Sequence, residues 1–309
     1  MAEFKFGFEE SWFRLIIKKL PNNPELFLPK AVEEAQGILR IGKLKVGAAK
    51  VWAESAGIIT KKKSQFVLTA LGHLIRKHDP DMDDDGIWWA IHYNLAKQSS
   101  PAWFYSFYFN EFEHDIFDRQ SLEDELRAWW NKDHEKPMTD STFNNLIFQP
   151  LKHIFLGTGG DKGTRFGKDF GFFEEQDNNS FCRKPIGYKL PPAAIAAYSL
   201  LDWARENQRQ SVHLEKLLES GGIGKILRLD RTLLDEILIQ IGDQYNKQVA
   251  WVSHTAGLNS VSIMDLEPLT LISAYYHELE GETPEVALEK GKAEIIELEK
   301  MQTTPTLFS

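Results

Sequence analysis

Five aspartates stand within seven positions, Asp79, Asp81, Asp83, Asp84 and Asp85, in the stretch RKHDPDMDDDGIWWAIHY from Arg76 to Tyr93. So dense a set of carboxylates can hold a hard cation such as Mg2+. A cation held that way polarises a phosphoryl oxygen and supplies hydroxide at neutral pH. On this reading Asp81, Asp83 and Asp85 are the metal ligands. The whole run, with His92, is then the candidate catalytic set, and His78 lies close by as a further base or ligand. A calcium loop is a poor fit, because it needs glycine at its sixth position and glutamate at its twelfth. Counted from Asp81, Asp83, Asp85 and Gly86 fall correctly, but the twelfth residue is His92. Counted from Asp79, the glycine comes two positions late. The competing reading is structural. Pro80 sets a turn, Asp84 or Asp85 caps the helix GIWWAIHYNL, and the negative charge suits that helix's N-terminal dipole.

Other chemistry is sparse. Cys182 is the single cysteine, which excludes disulfide stapling and cysteine-based zinc sites. A second acidic and histidine group, Glu111, Glu113, His114 and Asp115, is the next metal candidate. It would converge on the first if the intervening helices form a hairpin. LGTGGDKGTRFGKDFG (156–171) fails both the Walker A and the dinucleotide glycine patterns, so it reads as a loop. Lys162, Arg165 and Lys168 in it could still touch a phosphate backbone. Gly221, Gly222 and Gly224, with Lys225 and Arg228, read as an inter-helix loop more than as a phosphate site. No Ser-His-Asp arrangement is readable.

The elements that must position these groups are mostly helical. FEESWFRLIIKKL (8–20) is an amphipathic helix stopped by Pro21, and PKAVEEAQGIL (29–39) is a second with proline in its first turn. KLKVGAAKVWAESAGII (43–59) is a third, with Gly57 as its stop. A basic turn, a short strand around Phe66 to Thr69 and another helix follow. The aromatic run from Gly86 to Trp130 is helical and reads as core packing rather than a base-stacking platform, because it is acidic. The C-terminal third repeats a pattern of helices followed by strands, and Pro284 to Met301 is a solvated helix.

Charge is uneven along this frame. Through Lys77 there are 14 lysines and arginines against 7 acids; beyond it, 22 against 38, for a total of −9. Three short helices, the third led by lysines, then a basic strand pair, form the layout of a winged helix-turn-helix. Lys43, Lys45, Lys50, Lys61, Lys62 and Lys63 would replace counterions along DNA phosphates, giving affinity more than base reading. The expected fold class is therefore mainly α, with winged helix-turn-helix modules in the N- and C-terminal parts. The expected segments are a basic DNA-binding domain (1–77), an aromatic helical domain (78–155), a glycine-rich linker (156–190) and a C-terminal winged-helix-like domain (191–309). The N-terminus does not follow the order of a secretory signal, and no apolar run approaches a membrane span, so a cytoplasmic protein is expected.

FGFEESWFRL, ILRIGKLKVGAAKVWAESAGII, FVLTALGHLI, HDPDMDDDGIWWAIHYNLA, WFYSFYFNEF, LESGGIGKILRLDRTLL and HTAGLNSVS occur in this order over nearly the whole chain. In these stretches the chain resembles the SspB-like family, a domain-of-unknown-function family encoded beside DNA phosphorothioation genes. The resemblance departs at the third helix, where the family's Gly-Lys-Asn-like start is replaced by Gly42-Lys43-Leu44-Lys45. It implies a DNA-acting component of phosphorothioate modification or phage defence, with a DNA-nicking activity, for which Mg2+ held by the aspartates is the cofactor expected from the residues. A cysteine desulfurase, an ATP-pyrophosphatase-like sulfurtransferase and an ATPase are the implied partners, besides DNA itself. It brings no catalytic residue set. The alternatives are a non-catalytic adaptor that recruits the sulfur-transfer enzymes, and a transcriptional regulator of the operon.

Overall fold

The structure, a computed structural model, describes residues 4–157, 163–176, 180–255 and 258–303. In chain order these form α1 (Glu10–Lys19), α2 (Val32–Leu39), α3 (Lys43–Ser55), β1 (Ile59–Lys62), β2 (Gln65–Leu68), α4 (Ala70–His78), α5 (Asp85–Ala96) and α6 (Trp103–Asn110). Next come β3 (Ile116–Asp118), α7 (Arg119–Asp133), α8 (Asp140–Phe143), α9 (Gln149–Leu156), α10 (Arg165–Lys168), β4 (Glu174–Glu175) and β5 (Ser180–Cys182). The chain continues through α11 (Ala193–Glu206), β6 (Ser211–His213), α12 (Ile223–Ile226), α13 (Arg231–Gln244), β7 (Ala250–Thr255), β8 (Leu258–Ile263), α14 (Leu269–Leu279) and α15 (Pro284–Thr303). The protein is mainly helical with small sheets, as its periodicity predicts.

Two compact units divide the chain, and each is built from two stretches: 1–67 with 94–189, and 68–93 with 190–309.

In the first unit, α1 buries Trp12, Phe13, Ile16 and Ile17 and leaves Lys18 and Lys19 wet. The third helix ends sooner than its composition suggests. It stops at Ser55, Gly57 turns the chain at φ 74, and Ile59 already belongs to β1. β1 and β2 then pair as a hairpin. Trp52, fully buried, donates from Nε1 to the Phe6 carbonyl (2.8 Å) and packs edge-on against Phe4, Phe8 and Phe104. Around α6 the aromatic run is core, with Phe104, Tyr105, Phe107, Tyr108 and Phe109 all buried. Buried Arg183 lies 3.9 Å above the Tyr108 ring and donates to the carbonyls of Phe112 (3.0 Å) and Tyr108 (2.5 Å). The guanidinium thus closes that helix end with charge-assisted bonds.

Residues 163–176 and 180–190 also contribute core. Phe166, Phe170, Phe172, Phe173 and Phe181 are buried, and β3, β5 and β4 form an antiparallel sheet in that order. A Cβ on Gly167 would overlap the Phe155 carbonyl, so this glycine serves close packing. Lys162 lies outside the described residues.

In the second unit, α11, α13 and α14 pack together beside an antiparallel sheet of order β6-β8-β7. Gly222 and Gly224 allow close approach to the backbone of Leu217 and to Leu218, which makes that stretch a packed inter-helix connection. α14 and α15 form a helical hairpin, and α4 packs against both. Among the described residues no helix is long and apolar enough to cross a membrane.

Candidate functional site

The aspartate run lies in the second unit, between α4 and α5. Its first member is committed to the turn. Asp79 accepts the N–H of Asp83 on one carboxylate oxygen (3.0 Å) and of Asp84 on the other (3.1 Å). Met82, buried and left-handed at φ 53, forms the corner, and its carbonyl accepts Trp88 Nε1–H (2.8 Å). Asp84 caps α5, because its Oδ1 accepts the Gly86 N–H (2.7 Å). The same oxygen accepts the Tyr275 hydroxyl (2.8 Å), which ties the turn to α14. Gly86 is required there, since a Cβ would come within 2.5 Å of the Tyr275 ring. Burial and the neighbouring Asp84 push the Tyr275 hydroxyl well above its ordinary value, so it stays a donor. Asp81 and Asp83 are exposed and Asp85 is half-buried at the first position of α5.

His92 is fully buried on α5 and donates from Nε2 to the Ile226 carbonyl (2.7 Å). Burial lowers its pKa to about 3, overcoming that hydrogen bond, with Arg228 acting in the same direction. A histidine held neutral and enclosed in this way suits packing.

Among the described residues, the group of three or more histidine, cysteine and acidic side chains whose ligand atoms converge is His78, His277 and Glu294, all within 4.8 Å of one another. Three helices supply it, namely the last residue of α4, the last turn of α14 and the middle of α15. Burial works against charge on Glu294, yet hydrogen bonds from His78, Lys77 and Ser273 bring its carboxyl down to about 2. Burial also opposes charge on His78, but Glu294 and Glu280 outweigh it and raise the imidazole pKa. Sequence spacing could not assemble this group, because 199 positions separate His78 from His277. Its one legible member was His78.

The lysines expected to meet DNA lie in the first unit. Lys43 is exposed, with Glu33 4.0 Å away. Lys45 is half-buried, bonded to Glu9 (2.8 Å) and 5.6 Å above the Trp12 ring. Lys50 is half-buried, whereas Lys61, Lys62 and Lys63 are all exposed on the hairpin. Lys63 occupies a left-handed position at φ 56. In the same unit, Glu111, Glu113 and Asp115 belong to the connection before β3, and His114 pairs with Glu125. Arg165 donates its backbone N–H to Glu10 (2.8 Å), and Lys168 ends the short α10.

Two solved structures share this fold. They are a magnesium ion-bound SspB crystal structure and a second SspB crystal structure, each at TM-score 0.76 and 18% identity, over 97% of this chain and 95% of theirs. The search of curated proteins found no match. A family model described as Protein of unknown function (DUF4007) covers residues 5–154 and 168–276, and so the chain belongs to that family.

Proposed function

We propose that this protein is the DNA-binding component of a phosphorothioate modification system and that it nicks DNA with Mg2+. The observation carrying the reading is the charged face of the first unit. Three helices lead into a hairpin whose Lys61, Lys62 and Lys63 are exposed, with exposed Lys43 at the start of the third helix. That order is what a winged helix uses to meet DNA, the third helix towards the groove and the hairpin along the backbone. In the second unit, helix, strand, helix, helix and a strand pair, with sheet order β6-β8-β7, support a second winged-helix-like module. Its third helix, α13, exposes Glu236 and Asp243 on one face, which repels phosphate and favours protein partners such as the sulfur-transfer enzymes and the ATPase.

For Mg2+ the aspartates fit in a restricted way. Asp79 and Asp84 hold the turn and the cap, while Asp81 and Asp83 present exposed carboxylates, with Asp85 beside them. Mg2+ is commonly held by one or two carboxylates together with substrate phosphate oxygens rather than by an all-protein cage, and this set meets that need. When bound, it supplies Lewis acidity and a more acidic water. Asp81 and Asp83 would place that charge at the scissile phosphate.

The rigid use of Asp79 and Asp84 favours one second reading, a non-catalytic DNA-binding adaptor. Supercoiled plasmid incubated with the purified chain in Mg2+, Mn2+ or EDTA separates the two. The proposal expects open circles only with metal, and none from the Asp81→Ala/Asp83→Ala double variant. Gel shifts by both proteins without any nicking would make it an adaptor.

A further inference from the structure

We propose that His78, His277 and Glu294 bind a divalent transition metal of the Zn2+ class, which clamps the C-terminal end of α4 to the α14–α15 hairpin. The site is distinct from the aspartate pair and independent of any DNA cleavage.

Geometry carries the argument. Nδ1 of His78 lies 3.2 Å from Glu280 Oε1, and Nδ1 of His277 lies 3.3 Å from Glu280 Oε2. One carboxylate thus accepts from both rings. With Nδ1 of both rings engaged there, both Nε2 atoms face Glu294. His78 Nε2 is 3.2 Å from each Glu294 oxygen, and His277 Nε2 is 3.6 Å from Oε2. Without metal, His78 Nε2–H donates to that carboxylate; a divalent cation takes the place of the proton and gathers the nitrogens and a Glu294 oxygen as ligands. Metal-ligating histidines regularly use this arrangement, in which the outer nitrogen donates to a carboxylate that fixes tautomer and ring orientation. Zn2+ bonded at about 2.0–2.2 Å to nitrogen and oxygen spans ligand atoms a little over 3 Å apart, matching these separations.

The surroundings hold the donors in place. The His78 ring stacks on Tyr276 at 5.0 Å and 9°, and Ser273 Oγ–H donates to Glu294 Oε2 (2.5 Å). Gly291 lets α15 approach α14 closely, since a Cβ would meet the Thr270 carbonyl at 2.6 Å. The side chains of His78, His277 and Glu294 are 5%, 13% and 9% exposed, shielded enough for a tight site. Lys77, 60% exposed, places its ammonium 2.5 Å from Glu294 Oε1 and supplies cationic charge there on a flexible stem. Two imidazoles and one carboxylate suit Zn2+ or Co2+ rather than Mg2+, which prefers oxygen alone.

Co2+ titration of the full chain, stripped with a chelator and followed by its visible d–d absorption, tests the site. Zn2+ then serves as competitor. The expected result is about one equivalent bound, displaced by Zn2+, with a Zn2+-dependent rise in thermal midpoint. His277→Ala should abolish the absorption band. Glu280→Gln, on a side chain 57% exposed and hence tolerant of change, should weaken binding about 10–100-fold. Lys77→Ala should tighten it by removing the competing ammonium. Folded wild-type protein that gives neither the band nor the thermal shift would make the group a protonated histidine–glutamate cluster. So would binding unchanged in Glu280→Gln and His277→Ala. Plasmid nicking is a separate readout, so either proposal can fail alone.

Discussion

Asp79 and Asp81 carry the same side chain two positions apart, and their surroundings separate them. Asp79 accepts two backbone N–H groups, whereas Asp81 is exposed on the turn. Replacing a side chain that closes a turn or cap onto backbone donors costs about 1–2 kcal/mol. A surface substitution usually stays within about 0.5 kcal/mol. Urea unfolding should therefore show Asp79→Ala clearly destabilised and Asp81→Ala close to wild type. A loss of similar size in Asp81→Ala would mean that this carboxylate is structural too, and would remove it from the proposed Mg2+ set. The run of five was legible in the sequence as both a metal source and a turn. Which aspartate does which followed from where the Met82 corner and Tyr275 lie, 193 positions apart.

The hairpin of β1 and β2 puts a lysine where turn chemistry prefers glycine or asparagine. Lys63 at φ 56 carries the steric cost of a left-handed residue, about 1 kcal/mol, and it sits at an exposed tip. Lys63→Gly should raise unfolding stability by up to about 1 kcal/mol while weakening DNA binding; tighter or unchanged binding would argue against the hairpin as a DNA-binding element. At this scale the sequence was informative but imprecise. The lysine-led helix and Gly57 were readable, yet the helix ends at Ser55 because the chain must turn early enough for Ile59 to enter a strand. Alternation over so few residues is too weak a signal to mark that switch.

Across the whole chain, the net charge of −9 hides a basic N-terminal block and an acidic remainder. DNA affinity should therefore fall steeply with salt. Each phosphate that a lysine no longer neutralises lowers the slope of log K against log salt by about 0.9. Lys61→Gln/Lys62→Gln should reduce that slope by about 2 without changing sequence preference, measured by fluorescence anisotropy across a salt series. A slope equal to wild type would move the DNA interface off the hairpin.

Composition and periodicity by themselves determined the helical class, the aromatic core, the single cysteine's exclusions and the basic block, because these depend on residues that are neighbours in sequence. Only the tertiary structure decided the division into units built from separate stretches of chain and the burial of Phe166, Phe170, Phe172 and Phe173, since close packing against Phe155 leaves no local pattern. The histidine–glutamate group belongs there as well. Its donors come from α4, α14 and α15, and convergence of side chains from distant helices is a property of packing that no spacing along the chain records.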